Sequence, residues 1–251
     1  MKAMVLAAGL GTRLRPLTDD RPKALVEING HTLLEITLAR LRQFGVNEVI
    51  VNAHHFAQMI VDYLSANHNF GMTLEVSREE VLLDTGGGLK KAAPFFQDAG
   101  GTAAEPFILH NVDVISTIDL GRLLAFHRQH DALATLAVQE RKTSRYLLFD
   151  DAGHLCGRQS QDGKPEQVRQ AANMHPLAFC GVHVISPRFL EMMIEEGVFS
   201  ILTPYLRLAG AGEDIFAFRA DEYYWRDLGK AERLMEAEEE LKSGLWLVQG
   251  S

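Results

Sequence analysis

Short apolar runs alternate with helical patterns through the first half of the chain. Residues 2–8 form an almost continuous apolar run, which is typical of a strand buried on both faces of a parallel sheet. Similar runs predict strands at 48–53, 72–76, 107–109 and 132–138. Apolar residues at helical spacing predict helices at 34–44, 56–64, 89–96 and 120–127, the first of them opened by the capping pair Thr32 and Glu35. This alternation predicts right-handed βαβ units and a mostly parallel sheet.

The second half of the chain has a different pattern. Two short runs, 146–149 and 154–156, flank a turn at 150–153 and predict a β-hairpin. A strand at 178–185 leads into a helix that Pro187 opens and that runs to residue 194. A strand at 215–219 and a charged helix at 230–242 complete the pattern. The polar stretch 159–173 is predicted to be a mobile surface loop or flap.

Composition narrows the class of protein. The chain has 251 residues, 47% of them hydrophobic, which suits one α/β domain. Its net charge of −8 does not favour sequence-independent nucleic-acid binding, which depends on clustered Lys and Arg. No apolar run approaches the roughly 20 residues that cross a bilayer, and 3–8 is too short for a signal peptide. Cys156 and Cys180 lie in apolar settings, as expected of reduced thiols in a cytoplasmic protein.

A glycine-rich loop of about twenty residues follows the first strand, and long loops inside compact domains are usually functional. It is not a P-loop, and Leu14 stands where a dinucleotide fingerprint has its third glycine. Gly9 and Gly11 allow close approach to the backbone. We expect Leu14, Leu17, Leu25 and Val26 to fix the loop. Its cations suit a triphosphate, and they are Arg13, Arg15, Arg21 and Lys23.

Residues 7–25 resemble the signature of the sugar-phosphate nucleotidyltransferases, AAGxGTRLxPLTxxxPKxL. The chain is most similar to single-domain uridylyltransferases of N-acetylmuramate 1-phosphate, and also to mannose- and heptose-1-phosphate guanylyltransferases. The resemblance implies a Rossmann-like α/β fold with a mixed, mostly parallel sheet flanked by helices. It implies a nucleoside triphosphate and a sugar 1-phosphate as substrates, with Mg²⁺. We expect one domain over 1–251, with a nucleotide-binding half (1–140), a sugar-binding half (141–229) and a C-terminal helix and tail (230–251).

The resemblance also assigns residues to the nucleotide. In the first loop they are Ala7, Ala8, Gly9, Gly11, Thr12 and Arg13. A second glycine cluster, 84–88, precedes the predicted helix and allows a planar ligand to approach the backbone. Thr85, Gly86 and Gly87 match the family's segment against the base and ribose. Asn111 is expected to contact the nucleotide as well.

Two aspartates are expected to hold the metal. Asp113 follows the fourth strand, and ligands of open α/β sheets bind at the carboxyl ends of strands. Magnesium is commonly held by one or two carboxylates together with substrate phosphates. The resemblance assigns Asp227, in the segment 225–229, as the second ligand. It further implies that Arg13 grips the leaving phosphates and that Lys23 lies nearer the α-phosphate, so Arg13, Lys23 and Asp113 are the expected catalytic residues.

The acceptor's binding site is less well defined. Residues 179–182 resemble the strand that closes over the sugar, but the family's Glu-Lys-Pro segment is absent. Arg141, Ser144 and Arg145 are candidates for the acceptor, or simply surface residues. UTP is the favoured donor, and a homodimer is a possible assembly. Two alternatives stay open: a non-catalytic nucleotide-sugar sensor, and cytidylyl transfer to a phosphorylated alcohol such as phosphocholine, for which Tyr223, Tyr224 and Trp225 offer aromatic rings.

Overall fold

The computed structural model describes residues 1–97, 105–161 and 163–242. Its strands are β1 Lys2–Leu6, β2 Glu27–Ile28, β3 His31–Thr32, β4 Glu48–Ala53, β5 Thr73–Arg78, β6 Phe107–Asn111, β7 Val114–Ser116, β8 Ala134–Gln139, β9 Arg145–Phe149, β10 Leu155–Ser160, β11 Glu166–Gln167, β12 His175–Ile185, β13 Ile215–Arg219 and β14 Trp225–Asp227. Its α-helices are α1 Leu33–Gln43, α2 Ala57–Ala66, α3 Asp84–Phe96, α4 Leu120–Gln129, α5 Arg188–Glu191, α6 Leu202–Gly210 and α7 Ala231–Lys242.

The central sheet is mixed. In the order β6-β1-β4-β5 its strands run parallel, as the alternation of strands and helices predicts. The long strand β12 pairs antiparallel with β6 and β8 through its second half and with β9 through its first half. It therefore joins the parallel region to the antiparallel hairpin of β9 and β10. The predicted α/β fold and the predicted hairpin are confirmed.

Helices cover both faces of the sheet. Alternate residues of β1 enter two different apolar clusters, since Ala3 and Val5 pack with α1 and α2, whereas Met4 packs with α3 and α6. This alternation follows from the two-residue period of a strand. The predicted cap at Thr32 is confirmed in one half, because its side chain accepts a hydrogen bond from the backbone N–H of Glu35 at 3.1 Å. The Glu35 carboxylate instead bonds the side chains of His31 and Tyr63. The site described below lies at the carboxyl ends of the parallel strands.

Three predicted elements are corrected. The first strand ends at Leu6 rather than at residue 8, because the Ala7 amide donates to the side chain of Asn52 instead of a neighbouring strand. Helix α3 starts at Asp84, so the glycines lie inside the helix and not before it. Helix α5 has only four residues and ends at Glu191, well short of residue 194.

The predicted flap at 159–173 also differs from expectation. Strand β10 extends to Ser160, and β11 pairs with it antiparallel, so both form the edge of the sheet. Asp162 lies outside the described residues. Helix α6 and the short pair β7 and β14 were not predicted. Three-residue strands such as β7 and β14 carry too little pattern to be recognised.

Candidate active site

The glycine-rich loop is fixed by a few buried anchors. Leu14, Leu25 and Val26 are buried as expected, but Leu17 is 46% exposed, so it does not anchor the loop. Gly11 has φ +65°, and a Cβ there would lie 2.9 Å from Cγ2 of Thr18. The Thr18 hydroxyl in turn donates to the Gly11 carbonyl at 2.9 Å. Gly11 thus serves the shape of the loop.

A cavity of about 380 Å³ opens beside this loop. Seven of the predicted site residues line it, namely Ala7, Ala8, Gly9, Lys23, Thr85, Asn111 and Asp113. The lining also includes Asp84 of the second glycine cluster and residues that were not predicted to bind: Leu6, Asn52, Leu82, Val112 and Val198. A Cβ built on Gly9 would have no atom within 4 Å, so the backbone of Gly9 faces open space.

Four charged residues from distant parts of the chain converge next to the cavity. They are Arg13, Lys23, Asp113 and Asp227, and we call them the charged cluster. A Cβ built on Gly229 would lie 2.7 Å from Oδ1 of Asp227, 3.0 Å from Nη2 of Arg13 and 3.5 Å from Oδ2 of Asp113. A side chain at position 229 would therefore fill the space between these groups.

Pairing of β7 with β14 brings the two aspartates together. Asp227 lies opposite Val114, and the Leu228 amide donates to the Asp113 carbonyl at 2.8 Å. The Asp227 carboxylate also accepts from the Gly229 amide at 2.7 Å, which fixes its orientation. Asp227 is therefore the last residue of a strand, not the cap of α7, and its carboxylate lies beside that of Asp113.

Lys23 and Asp113 form an ion pair in which both side chains are largely buried, at 11% and 16% exposure. Within the described residues, no three His, Cys, Asp or Glu side chains group as a metal site. Two carboxylates with room for phosphate oxygens nevertheless match the donors that Mg²⁺ prefers. The Asp113 and Asp227 pair suits that ion.

The glycines of α3 contact protein more than they face the cavity. The amides of Gly86 and Gly87 both donate to the Phe199 carbonyl, at 2.9 and 3.2 Å. A Cβ on Gly86 would lie 2.5 Å from the Phe199 ring, and one on Gly87 would collide with the Gly197 carbonyl. Neither glycine lines the cavity. Their packing against 197–199 explains why this helix start tolerates no side chain.

A buried carboxylate supports the floor of the cavity. Glu79 is 4% exposed and accepts hydrogen bonds from Nδ2 of Asn52 at 2.8 Å and from the Leu83 amide at 3.0 Å. Asn52 accepts in turn from the Ala7 amide at 2.7 Å. The chain of bonds links both loops that line the cavity. A polar Asn near the end of a buried strand was the available signal in the sequence.

His110 is buried and directly precedes Asn111, which lines the cavity. Burial lowers its pKa from the ordinary value to about 4, and its Nδ1 lies 2.8 Å from the Asn111 carbonyl. The ring is therefore neutral at physiological pH and holds the end of β6.

The aromatic residues proposed for a quaternary ammonium have other partners. The hydroxyl of Tyr223 accepts from Arg122 at 2.7 Å, and that of Tyr224 donates to Glu240 at 2.6 Å. The guanidinium of Arg141 covers Trp225, 3.6 Å from the ring centroid. These three rings do not form a shared aromatic pocket, so the structure gives no support to phosphocholine as acceptor.

Comparisons with known proteins agree with the geometry. The model of the nucleotidyl transferase family matches residues 2–244, and the chain belongs to this family. An N-acetylmuramate alpha-1-phosphate uridylyltransferase of Caulobacter vibrioides is 35% identical over 95% of this chain and 96% of its own length. A protein with the same name from Neisseria meningitidis is 31% identical over 98% of this chain and all of its own.

Solved structures confirm the fold. The inositol-1-phosphate CTP transferase from T. maritima superposes with a TM-score of 0.74 at 17% identity, covering 98% of both chains. Family and fold are thus as predicted. The chain is an enzyme that transfers a nucleoside monophosphate to a sugar 1-phosphate. None of the helices in the described ranges is both long and apolar enough to cross a membrane.

Proposed function

We propose that this enzyme uses UTP as donor and an amino-sugar 1-phosphate of the N-acetylmuramate type as acceptor, with Mg²⁺ held by Asp113 and Asp227. The observation that carries the proposal is the convergence of Arg13, Asp113 and Asp227 at Gly229 beside the cavity. The two relatives named for uridylyl transfer to N-acetylmuramate 1-phosphate support the choice of substrates. The cytoplasmic location, the homodimer and the two halves of the domain stay predictions.

The chemistry requires no general base. A phosphate monoester has a second pKa of about 6, so the acceptor is largely a dianion at neutral pH. One of its oxygens forms a bond to the α-phosphorus of UTP. The bond from that phosphorus to the bridging oxygen breaks, and pyrophosphate leaves with the electron pair. No proton has to be removed from the attacking oxygen.

The protein has to bring two polyanions together and stabilise the charge that develops between them. Arg13 can hold two oxygens of the departing pyrophosphate with its planar guanidinium. Lys23 neutralises Asp113 before substrates bind and, by a rotation of its flexible stem, can turn to the α-phosphate. Bound Mg²⁺ would neutralise phosphate charge between the two aspartates.

A pyrophosphate-release assay tests the proposal. Each of the four nucleoside triphosphates is combined with a panel of hexose 1-phosphates and phosphocholine, with Mg²⁺ and with a chelator. We expect turnover only when Mg²⁺, UTP and an amino-sugar 1-phosphate are all present. A preference for GTP of about tenfold, or 1.4 kcal/mol, would instead indicate a mannose- or heptose-type enzyme. Nucleotide binding without turnover on any acceptor would favour the sensor.

A further inference from the structure

Arg141 lies between β8 and β9 in an unusual environment. Its guanidinium stacks on the Trp225 ring, and its Nη2 donates to the Phe179 carbonyl at 2.7 Å. Its Nε is buried and has no hydrogen-bond partner among the described residues. The side chain is therefore held rigidly while part of its donor capacity is unused.

The charge of Arg141 is also uncompensated by an ion pair. Burial lowers the pKa of the guanidinium, yet an arginine stays protonated in proteins. Within the described residues no carboxylate lies within ion-pair distance of Arg141; the side chain of Cys180 and, after it, the carboxylate of Asp227 favour its charged form. A half-buried cation without a bound carboxylate is costly unless an anion joins it.

The surroundings place this cation beside the charged cluster. Trp225 and Asp227 are two residues apart on β14, so their side chains share one face of the strand. The Trp225 indole donates to the Cys180 carbonyl at 2.7 Å, which fixes the ring that carries Arg141. Gly181, with φ +73°, leaves room for Asn111, whose Nδ2 would lie 2.8 Å from a Cβ there.

The position of Arg141 determines which anion it can bind. Lys23 and Asp113 line the cavity, and Arg13 lies beside them at Gly229, so we assign the triphosphate to this side. Arg141 lies outside the cavity lining, against Phe179 of β12 and Trp225 of β14, which leaves it for the second substrate. A planar guanidinium binds two oxygens of a phosphate at once, and its stacking on an aromatic ring preorganises that fork.

We propose that Arg141, stacked on Trp225, binds the phosphate of the acceptor and orients it for attack. The inference rests on the proposed function and adds to it the residue that recognises the acceptor. It assigns the contact with the acceptor's phosphate to an arginine between β8 and β9. A purely structural stack of Arg141 on Trp225 is the competing explanation.

Arg40 provides a matched control for that explanation. Its guanidinium also stacks on an aromatic ring, 4.6 Å from the centroid of Phe44, and donates to a backbone carbonyl, that of Ile118, at 2.8 Å. Its Nε is likewise buried without a partner among the described residues. Neither arginine lines the cavity, but Arg141 lies near Asp227 of the charged cluster, whereas Arg40 lies near Asp119. The two arginines differ in location, not in type of packing.

The experiment compares Arg141→Gln, Arg141→Lys and Arg40→Gln with the unmodified enzyme. N-acetylmuramate α-1-phosphate is the acceptor and UTP the donor. Loss of a charge-assisted hydrogen bond predicts that Arg141→Gln raises the KM for the acceptor about 10- to 100-fold. The KM for UTP stays nearly constant, and Arg141→Lys recovers part of the loss. Arg40→Gln lowers the unfolding temperature without changing the acceptor KM.

Equal changes in both KM values, or the same kinetics for Arg141→Gln and Arg40→Gln, would overturn the inference. Calorimetric titration with N-acetylmuramate α-1-phosphate and with N-acetylmuramate alone separates this outcome from failure of the proposed function. Binding that requires both the phosphate and Arg141, without turnover, refutes the proposed reaction and supports the inference. Binding that ignores Arg141, or no binding at all, refutes the inference.

Discussion

The two sides of the site differ in the groups that they present. The donor side, residues 7–26 and 82–85, presents backbone to the cavity at Ala7, Ala8 and Gly9. The acceptor side, Arg141 with residues 179–181 and 225–227, presents side chains that two separate strands and a loop bring together. Backbone amides can bind any triphosphate, whereas a set of side chains can be altered one position at a time. Under the proposed assignment, recognition of the donor phosphates is local in sequence, and recognition of the acceptor depends on the tertiary fold.

The largest expected effect on turnover comes from the two aspartates, which lie between the donor side and the acceptor side. Asp113→Asn and Asp227→Asn should each lower kcat by at least about 10²–10³-fold, since a neutral amide is a poorer ligand for Mg²⁺. Asparagine keeps the oxygen that accepts from the Gly229 amide, so the fold at position 227 should persist. Steady-state kinetics across a magnesium titration measure the loss, and circular dichroism checks folding. Near-normal turnover of either variant at low magnesium removes that residue from the metal site.

The donor side contributes one side chain whose shape should matter. We expect Arg13→Lys to lower kcat about a hundredfold, or roughly 3 kcal/mol, because an ammonium cannot hold two phosphate oxygens in a fixed plane. The KM for UTP should change little, as the loop amides and Lys23 remain.

Arg15→Lys is the matched control for Arg13. Arg15 lies two positions further along the same loop, where it is 66% exposed and pairs with Asp19 at 3.3 Å. Its conservative replacement should have a milder effect on kcat. Small, equal effects at both positions would leave the loop as a diffuse source of positive charge.

Two glycines, Gly9 of the donor side and Gly87 of helix α3, should respond in opposite ways to the same change. Gly87→Ala should destabilise the fold by about 1–3 kcal/mol, because the new methyl group meets the Gly197 carbonyl. Gly9→Ala has free space around it, so it should leave stability unchanged and raise the KM for UTP. Urea unfolding and donor kinetics distinguish the two. If Gly87→Ala unfolds like the unmodified chain, the packing of α3 against 197–199 is looser than described.

The smallest effect is expected below the cavity floor. Glu79→Gln exchanges one acceptor oxygen for a donor facing Asn52 or Leu83, which predicts a loss of about 1–2 kcal/mol in donor binding, roughly a tenfold rise in the KM for UTP. The acceptor KM should not move, in contrast to the Arg141 variants. Glu80→Gln, at an exposed neighbouring position, serves as the control. An unchanged KM for UTP would show that Asn52 holds Ala7 without help from Glu79.

The same contrast explains what the sequence could predict. Short-range patterns identified the βαβ alternation, the helix cap at Thr32 and the loop that holds Gly9. The glycines of α3 were wrongly placed before the helix, since a glycine packed against a distant segment looks the same in sequence as one that faces a ligand. The stack of Arg141 on Trp225 was not foreseen, because it depends on β12 and β14 meeting in space. The binding and metal roles of the site residues stay predictions.

Pairing of β14 with β7 has a consequence for how the enzyme is made. The loop at 7–26 and Asp113 leave the ribosome long before Asp227, and domains tend to form from their N-terminal part during synthesis. Strands β6, β1, β4 and β5 can therefore associate while β14 is still being translated. The carboxylate of Asp227 joins the charged cluster only when β14 pairs with β7. An interrupted translation product thus keeps the glycine-rich loop but lacks half of the acidic pair.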